Sequence, residues 1–143
     1  MENKMKFLHT MVRVLDEKRA MHFFCDLLGF KEIRRYESEE GRFSLIYLES
    51  SPGDPPVELT VNWDEKEPYS DGRNFGHIAL EVDNIYDTCA MLQENGITIL
   101  RPPRDGRMAF IKTPDGISIE LLQANGSLEI AEPWASMPST GSW

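Results

Sequence analysis

One order of predicted elements occurs twice along the chain, and this repeat constrains the fold more than any other feature of the sequence. In each half an apolar, strand-like segment leads into an amphipathic helical segment, and three further strand-like segments follow. The first half covers about residues 6–63 and the second about 75–124, with a polar linker at 64–74 and a tail at 125–143. The repeat predicts an α+β fold in which two βαβββ modules form a single domain over residues 1–143.

Turn and capping residues set the boundaries of the predicted elements. Asp16 and Asp83 are suited to cap the start of each helix, and Gly29 and Gly96 suit the left-handed position just beyond its end. The predicted buried stripes are Ala20, Phe24, Leu27 and Leu28 in the first helix and Ile85, Cys89 and Leu92 in the second. Strands are predicted at residues 7–14, 31–36, 43–48, 57–63, 75–82, 97–101, 108–112 and 117–123.

The tail at 125–143 shows no periodicity and contains proline, serine, threonine and glycine. This composition predicts an extended arm or a frayed end rather than a further element. Trp134 and Trp143 are large apolar residues within it, so parts of the tail are expected to dock on an apolar surface.

The acidic composition argues against several classes of partner. With a net charge of −9 and a pI near 4.8, the chain lacks the basic surface that nucleic acid binding needs. Arginines gather at 34–35 and at 101, 104 and 107, where they form either ordinary solvated surface or local positive potential. The short apolar runs predict no membrane span. Two cysteines without a CxxC pair, and no apolar leader at Met1, favour a reducing compartment, the cytoplasm.

A histidine and a glutamate occupy equivalent positions in each half. His9 lies in the opening segment of the first half and Glu58 in its last strand, and His77 and Glu120 take the same places in the second. Each residue alone has an ordinary structural explanation, because a strand histidine is usually hydrogen-bonded in the core and a strand glutamate usually faces solvent. The repetition of the set in two equivalent modules favours a shared role. The third histidine, His22, has no such counterpart and is predicted to be exposed or half-buried.

Two imidazoles and two carboxylates form a donor set suited to a divalent metal ion. These donors suit Ni(II), Zn(II), Co(II), Fe(II) or Mn(II), and they are poor ligands for Cu(I) or an iron–sulfur cluster. The set also differs from thiolate-rich structural zinc sites, and an octahedral ion would keep positions for water or substrate. The sequence therefore predicts a catalytic metal site formed by His9, Glu58, His77 and Glu120.

Strand alternation places further polar side chains beside these residues. His9 and Arg13 share one face of the first strand, and Glu58 and Asn62 share one face of the fourth. A guanidinium fork and a side-chain amide are suited to hold a carboxylate. Arg13 and Asn62 are therefore predicted to bind an acidic part of a substrate.

Four motifs resemble the glyoxalase I branch of the vicinal oxygen chelate superfamily, also called the glyoxalase/bleomycin resistance superfamily. They are LHTMVRV at 8–14, ELTVNW at 58–63, FGHIA at 75–79, and DG followed by IEL at 115–121. The resemblance spans about residues 7–123. The order His, Glu, His, Glu is informative, because extradiol dioxygenases and fosfomycin-modifying enzymes usually lack the first glutamate and CoA-ester epimerases usually have glutamine there.

This resemblance implies the vicinal oxygen chelate fold and the metal-dependent isomerisation of the methylglyoxal–glutathione hemithioacetal to S-lactoylglutathione. It implies that Glu120 is the base that moves a proton between two substrate carbons, with Glu58 as the second catalytic carboxylate. The implied substrate-binding residues are Arg13, Asn62, Arg101 and Phe110. Family members often hold the glycyl carboxylate with a loop lysine, whose place Arg101, Arg104 or Arg107 would take here.

The compact chain resembles bacterial members that work best with Ni(II) or Co(II), with Zn(II) as the alternative metal. In small members the modules pair across two chains, which implies a homodimer with two sites at its interface. Two other functions stay open. One is a binding protein of the bleomycin-resistance kind, which needs no metal ligands, and the other is a metal-dependent epimerase or dioxygenase, against which Glu58 argues.

Overall fold

The computed structural model describes residues 3–143 and divides the chain into two compact units, one ending at Tyr69 and the other comprising Ser70–Trp143. The first unit contains a four-stranded sheet. Its strands are β1 (Thr10–Arg13), β2 (Lys31–Ser38), β3 (Phe43–Glu49) and β4 (Val57–Asn62), in the order β1-β4-β3-β2. β1 is parallel to β4, and the other two pairings are antiparallel. All four strands are predicted from the sequence, although β1 begins at Thr10 rather than at residue 7.

The helical segment of the first unit changes its hydrogen-bonding pattern part-way along. α1 (Glu17–Met21) begins at the predicted N-cap Asp16, whose carboxylate accepts a bond from the backbone N–H of Arg19 at 2.8 Å. A π-helix at His22–Leu27 continues it, and its wider turn adds Phe23 to the buried side chains while Ala20 and Phe24 are buried as predicted. The buried side chains are Ala20, Phe23 and Phe24, and the half-buried ones are Leu27 and Leu28.

The second unit contains a three-stranded sheet and one helix. Its elements are β5 (His77–Val82), α2 (Ile85–Glu94), β6 (Met108–Lys112) and β7 (Ser118–Gln123), with the strand order β5-β7-β6. β5 is parallel to β7, and β6 is antiparallel to it. α2 packs against β7 and buries the predicted stripe of Ile85, Cys89 and Leu92. Burial raises the pKa of the Cys89 thiol to about 12. No helix within residues 3–143 is long and apolar enough to cross a membrane.

The cap of α2 lies one residue later than predicted. Asn84, rather than Asp83, has the extended backbone of an N-cap, and its side chain accepts a bond from the backbone N–H of Asp87 at 3.0 Å. The Asp83 carbonyl instead accepts a bond from the Gln123 side chain at 2.8 Å. Asp83 therefore belongs to the connection that leaves β5.

The strand predicted at 97–101 does not form. Only Arg101 makes an isolated antiparallel bridge, with Phe110 of β6. Pro102 and Pro103 follow it directly, and neither has a backbone N–H with which to continue the ladder. The ladder therefore cannot extend past Arg101 toward Met108, and the β6 edge of the sheet carries a single bridge in place of a fourth strand.

The tail packs on the second unit along much of its length and is not a frayed end. Trp134 is 5% exposed and stacks on Tyr86, with ring centroids 6.3 Å apart and an interplanar angle of 2°. The backbone N–H of Thr140 donates to the Leu100 carbonyl at 2.8 Å. The expectation that the tail docks through a tryptophan is confirmed for Trp134.

Gly106 lies against the tail, where its carbonyl accepts a bond from the backbone N–H of Leu128 at 3.0 Å, and Gly106→Ala is expected to destabilise the protein. The φ of Gly106 is +69°, and an added Cβ would collide with the carbonyl oxygen of Leu128. Backbone strain at such a position costs about 1–3 kcal/mol, and the collision adds to it. Urea denaturation would measure a loss of at least about 2 kcal/mol in the free energy of unfolding.

The matched control is Gly116→Ala. Gly116 also has a positive φ, +85°, but has open space around the position of an added Cβ. It reports the backbone strain alone, so equal losses in the two variants would contradict a close contact at Gly106.

Candidate active site

The two predicted histidine–glutamate pairs each form within one unit. In the first unit His9 Nε2 lies 3.1 Å from Glu58 Oε1, and in the second His77 Nε2 lies 3.3 Å from Glu120 Oε1. His9 immediately precedes β1 and Glu58 lies in β4, while His77 opens β5 and Glu120 lies in β7. Each pair thus joins two neighbouring parallel strands.

The same strand register creates both pairs. Met11 is opposite Glu58 in the β1–β4 ladder, and Ala79 is opposite Glu120 in the β5–β7 ladder. In each case the histidine lies two residues before the paired position, so alternation turns its side chain to the face of the glutamate. The equivalence of the two halves therefore extends to their backbone pairing.

An aromatic ring accompanies each pair. Tyr47 of β3 is opposite Glu58, and Phe110 of β6 is opposite Glu120. Tyr47 meets the His9 ring edge to face with centroids 5.6 Å apart, and Phe110 meets His77 in the same way at 5.2 Å. Tyr47 was not predicted from the sequence. Aligning the third strands of the two halves would have found it, because Phe110 occupies the corresponding position.

The donor atoms of each pair are spaced as two ligands of one metal ion would be. Two atoms bound at right angles, each about 2.1 Å from an ion, lie about 3 Å apart. The observed separations of 3.1 and 3.3 Å are close to this value. The histidine side chains are 35% and 42% exposed, so both pairs are open on one side. In neither unit, within the described part of the chain, does a third His, Cys, Asp or Glu join the pair.

The two carboxylates differ in how firmly they are held. Glu58 is 7% exposed, and its Oε2 accepts a bond from the Thr60 hydroxyl at 3.3 Å. The Tyr47 hydroxyl also bonds to Glu58, and this bond, with burial, raises the pKa of Tyr47. The carboxylate of Glu120, among residues 3–143, has His77 as its only polar partner. Glu120 is therefore the less constrained of the two.

Arg13 and Asn62 lie on the same face as the first pair, as alternation predicts. Arg13 is exposed at the end of β1, and its ladder partner is Thr60 of β4. Asn62 ends β4 two residues beyond Thr60, so it faces the same side. Its side-chain amide donates to the Tyr69 hydroxyl at 3.1 Å, which orients the amide.

The three arginines of the loop at 101–107 bind backbone carbonyl groups. Arg101 donates to Met108 at 2.8 Å, Arg104 to Met137 at 3.0 Å, and Arg107 to Gln123 at 2.7 Å. These bonds fasten the loop to β6, to the tail and to the end of β7. Contact between Arg101 and a substrate stays a prediction.

A cavity of about 440 Å³ opens beside the second pair. Its lining includes His77, Phe110, Lys112, Ser118 and Trp143. Trp143 stacks on Phe110, with ring centroids 5.8 Å apart, so the tail reaches the predicted substrate-binding residue. Lys112 and Trp143 were not predicted to lie at the site. Alternation along β6 would have placed Lys112 beside Phe110, whereas no pattern in the tail indicates where Trp143 docks.

Known proteins show the same fold and related sequences. Residues 6–121 match the Glyoxalase/Bleomycin resistance protein/Dioxygenase superfamily. The chain is 39% identical over 127 residues to the lactoylglutathione lyase of Salmonella typhimurium, which covers 84% of this chain and 93% of that protein. It is 37% identical over 128 residues to the probable lactoylglutathione lyase of Synechocystis sp., covering 85% and 97% respectively. The solved structure of the trypanothione-dependent glyoxalase I of Leishmania major superposes with a TM-score of 0.79 at 33% identity, covering 84% of this chain and 87% of that one. The family match and these relatives show that the chain, with its duplicated histidine–glutamate pairs, belongs to the glyoxalase/bleomycin resistance/dioxygenase superfamily, in the glyoxalase I branch.

Proposed function

We propose that this protein is a lactoylglutathione lyase, which isomerises the hemithioacetal of methylglyoxal and glutathione to S-lactoylglutathione. The reaction detoxifies a 2-oxoaldehyde. The duplicated histidine–glutamate pair, with the same strand register in both units, is the observation that carries the proposal. Its relatives in Salmonella typhimurium and Synechocystis sp., named for this activity, support it.

We further propose that His9, Glu58, His77 and Glu120 together hold one divalent metal ion. The donor types and the spacing within each pair fit such an ion. Ni(II) or Co(II) is favoured, with Zn(II) as the alternative. When bound, the metal acts as a Lewis acid that stabilises negative charge developing on the substrate oxygens.

The proton transfer is assigned to Glu120. Its carboxylate takes the proton from the hemithioacetal carbon and returns it to the adjacent carbon, while the hydroxyl proton passes to the former carbonyl oxygen, so atoms and charge balance overall. Glu120 makes few contacts, which suits a carboxylate that must move while it transfers a proton. Glu58 is held in one position by the bonds from Thr60 and Tyr47. Glu58 is the second catalytic carboxylate of the proposed site.

The substrate is proposed to bind through both units. Arg13 and Asn62 offer a guanidinium and an oriented amide to the glutamyl end of glutathione. Phe110 offers an apolar surface near His77. Arg101, its bridge partner, is proposed to contact the substrate beside it. Each unit would supply two of the four proposed ligands. We propose a homodimer, in which the first unit of one protomer completes its site with the second unit of its partner. The proposed location of this dimer is the cytoplasm.

Removal of the metal is expected to abolish activity. Chelator-treated protein should give no thioester absorbance with methylglyoxal and glutathione, and Ni(II) or Co(II) should restore more activity than Zn(II). Metal analysis should find one ion per proposed site after reloading. No bound metal after reloading, or no thioester with glutathione or any other thiol tested, would reject the proposed enzyme and favour a binding protein.

A pair of histidine variants provides the matched control for metal binding. His77→Ala is expected to weaken metal binding by about 10-fold or more. Even the loss of a residue that only hydrogen-bonds to a metal ligand lowers metal affinity about 10–100-fold. His22→Ala should leave it unchanged, because His22 is exposed and pairs with Asp26 at 2.9 Å. Equal metal contents in the two variants would contradict the assignment of His77.

A further inference from the structure

We propose that Trp143 forms one wall of the pocket that receives the side chain of the 2-oxoaldehyde, and that it favours substrates with an aromatic side chain. This inference rests on the proposed function, because it places the reacting carbons beside His77. The matched superfamily region ends at residue 121, so Trp143 lies beyond it. The tail thus adds a specificity-determining residue to the site.

Ring contacts connect Trp143 to the proposed metal ligand. Phe110 meets the His77 ring at 5.2 Å between centroids, and Trp143 stacks on Phe110 at 5.8 Å with an interplanar angle of 24°. All three side chains line the same cavity. A group bound beside His77 therefore has two aromatic rings within reach.

The tail is fastened just before Trp143. Arg104 Nη1 donates to the Met137 carbonyl at 3.0 Å and to the Ser139 hydroxyl at 3.1 Å. The backbone N–H of Thr140 donates to the Leu100 carbonyl at 2.8 Å. At the next residue, Gly141, the chain turns with a φ of +67° and brings Trp143 over Phe110. The stacked position of the indole is therefore set by several bonds upstream of it.

The exposure of Trp143 leaves room for a ligand group. The residue keeps 46% of its surface accessible, although one face of its ring lies against Phe110. A phenyl group in the cavity would cover part of this apolar surface and pack against the ring, which is worth about 10-fold in affinity. A methyl group is too small to make such a contact. Trp143 should therefore affect aromatic 2-oxoaldehydes much more than methylglyoxal.

Kinetics with two aldehydes and one thiol test the inference. For the phenylglyoxal–glutathione adduct, Trp143→Ala is expected to lower kcat/KM about 10-fold, with a change below about twofold for the methylglyoxal adduct. Trp143→Phe should keep most of the activity on both, since it retains an aromatic ring. Ile130→Ala, an exposed position in the same tail, should change neither.

Binding of two unreactive thioethers gives a readout without turnover. Trp143→Ala should raise the Kd of S-benzylglutathione about 10-fold and leave that of S-methylglutathione within about twofold. If the enzyme is active but Trp143→Ala changes the two Kd values equally, or changes neither, the role of Trp143 is overturned and the proposed function stands. Failure of the wild-type protein to convert either adduct would overturn the proposed function, and this inference with it.

Discussion

Replacing Glu120 by glutamine is expected to lower kcat for the methylglyoxal–glutathione adduct by about 10²- to 10⁴-fold, the contribution of a positioned base. The amide has nearly the same shape as the carboxylate but cannot accept the proton. Glutamine still presents an oxygen to the position 3.3 Å from His77 Nε2, so part of the metal should be retained. Steady-state kinetics together with metal analysis of the same preparation would separate loss of the base from loss of the metal.

Arg13→Ala is the comparison variant for Glu120→Gln. Arg13 lies at the exposed end of β1, four residues beyond His9, and is proposed to hold the glutamyl end of the thiol. Its removal should mainly raise KM, because the contact exists in both the bound substrate and the transition state. Equal, modest losses of kcat in the two variants would argue against Glu120 as the base.

Trp134→Ala is expected to lower the free energy of unfolding by about 3–5 kcal/mol, the usual cost of removing a large aromatic side chain from a core. Trp134 is 5% exposed and lies parallel to Tyr86, so its loss leaves a cavity between the tail and α2. Urea denaturation followed by circular dichroism measures the change without relying on tryptophan fluorescence.

Ile130→Ala is the control for this loss of stability. Ile130 lies in the same tail but is 72% exposed, so its truncation should change the free energy of unfolding by no more than about 0.5 kcal/mol. A loss for Trp134→Ala as small as that for Ile130→Ala would show that the tail does not dock on α2 in solution.

Local patterns predicted most of the strands and both histidine–glutamate pairs. Alternation of side chains depends only on residues two apart, so it assigned His9 and Arg13 to one face without knowledge of the fold. The repeat then indicated which residues distant in the chain belong together, because equivalent positions in two equivalent modules imply equivalent pairing. The repeat thereby links Glu58 and Glu120 to histidines that are far from them in the chain.

Features that depend on tertiary contacts were beyond the sequence patterns. The π-helix at His22–Leu27 follows the packing of Phe23 and Phe24, which an α-helical period does not describe. The segment at 97–101 has an apolar run typical of a strand but makes a single bridge at Arg101, and the two prolines that follow end the ladder there. Trp143 could not be placed because docking of a tail depends on the surface that it meets.

The ladders that bring each histidine to its glutamate restrict the changes in chain length that evolution can tolerate. An insertion of one residue between His9 and Met11 would turn the imidazole to the opposite face of the sheet, away from Glu58. The same holds in the second unit. The loops before β4 and β7, at 50–56 and 113–117, lie outside this restriction and already differ in length. Selection should therefore remove single-residue insertions and deletions within these strands while allowing the two loops to diverge.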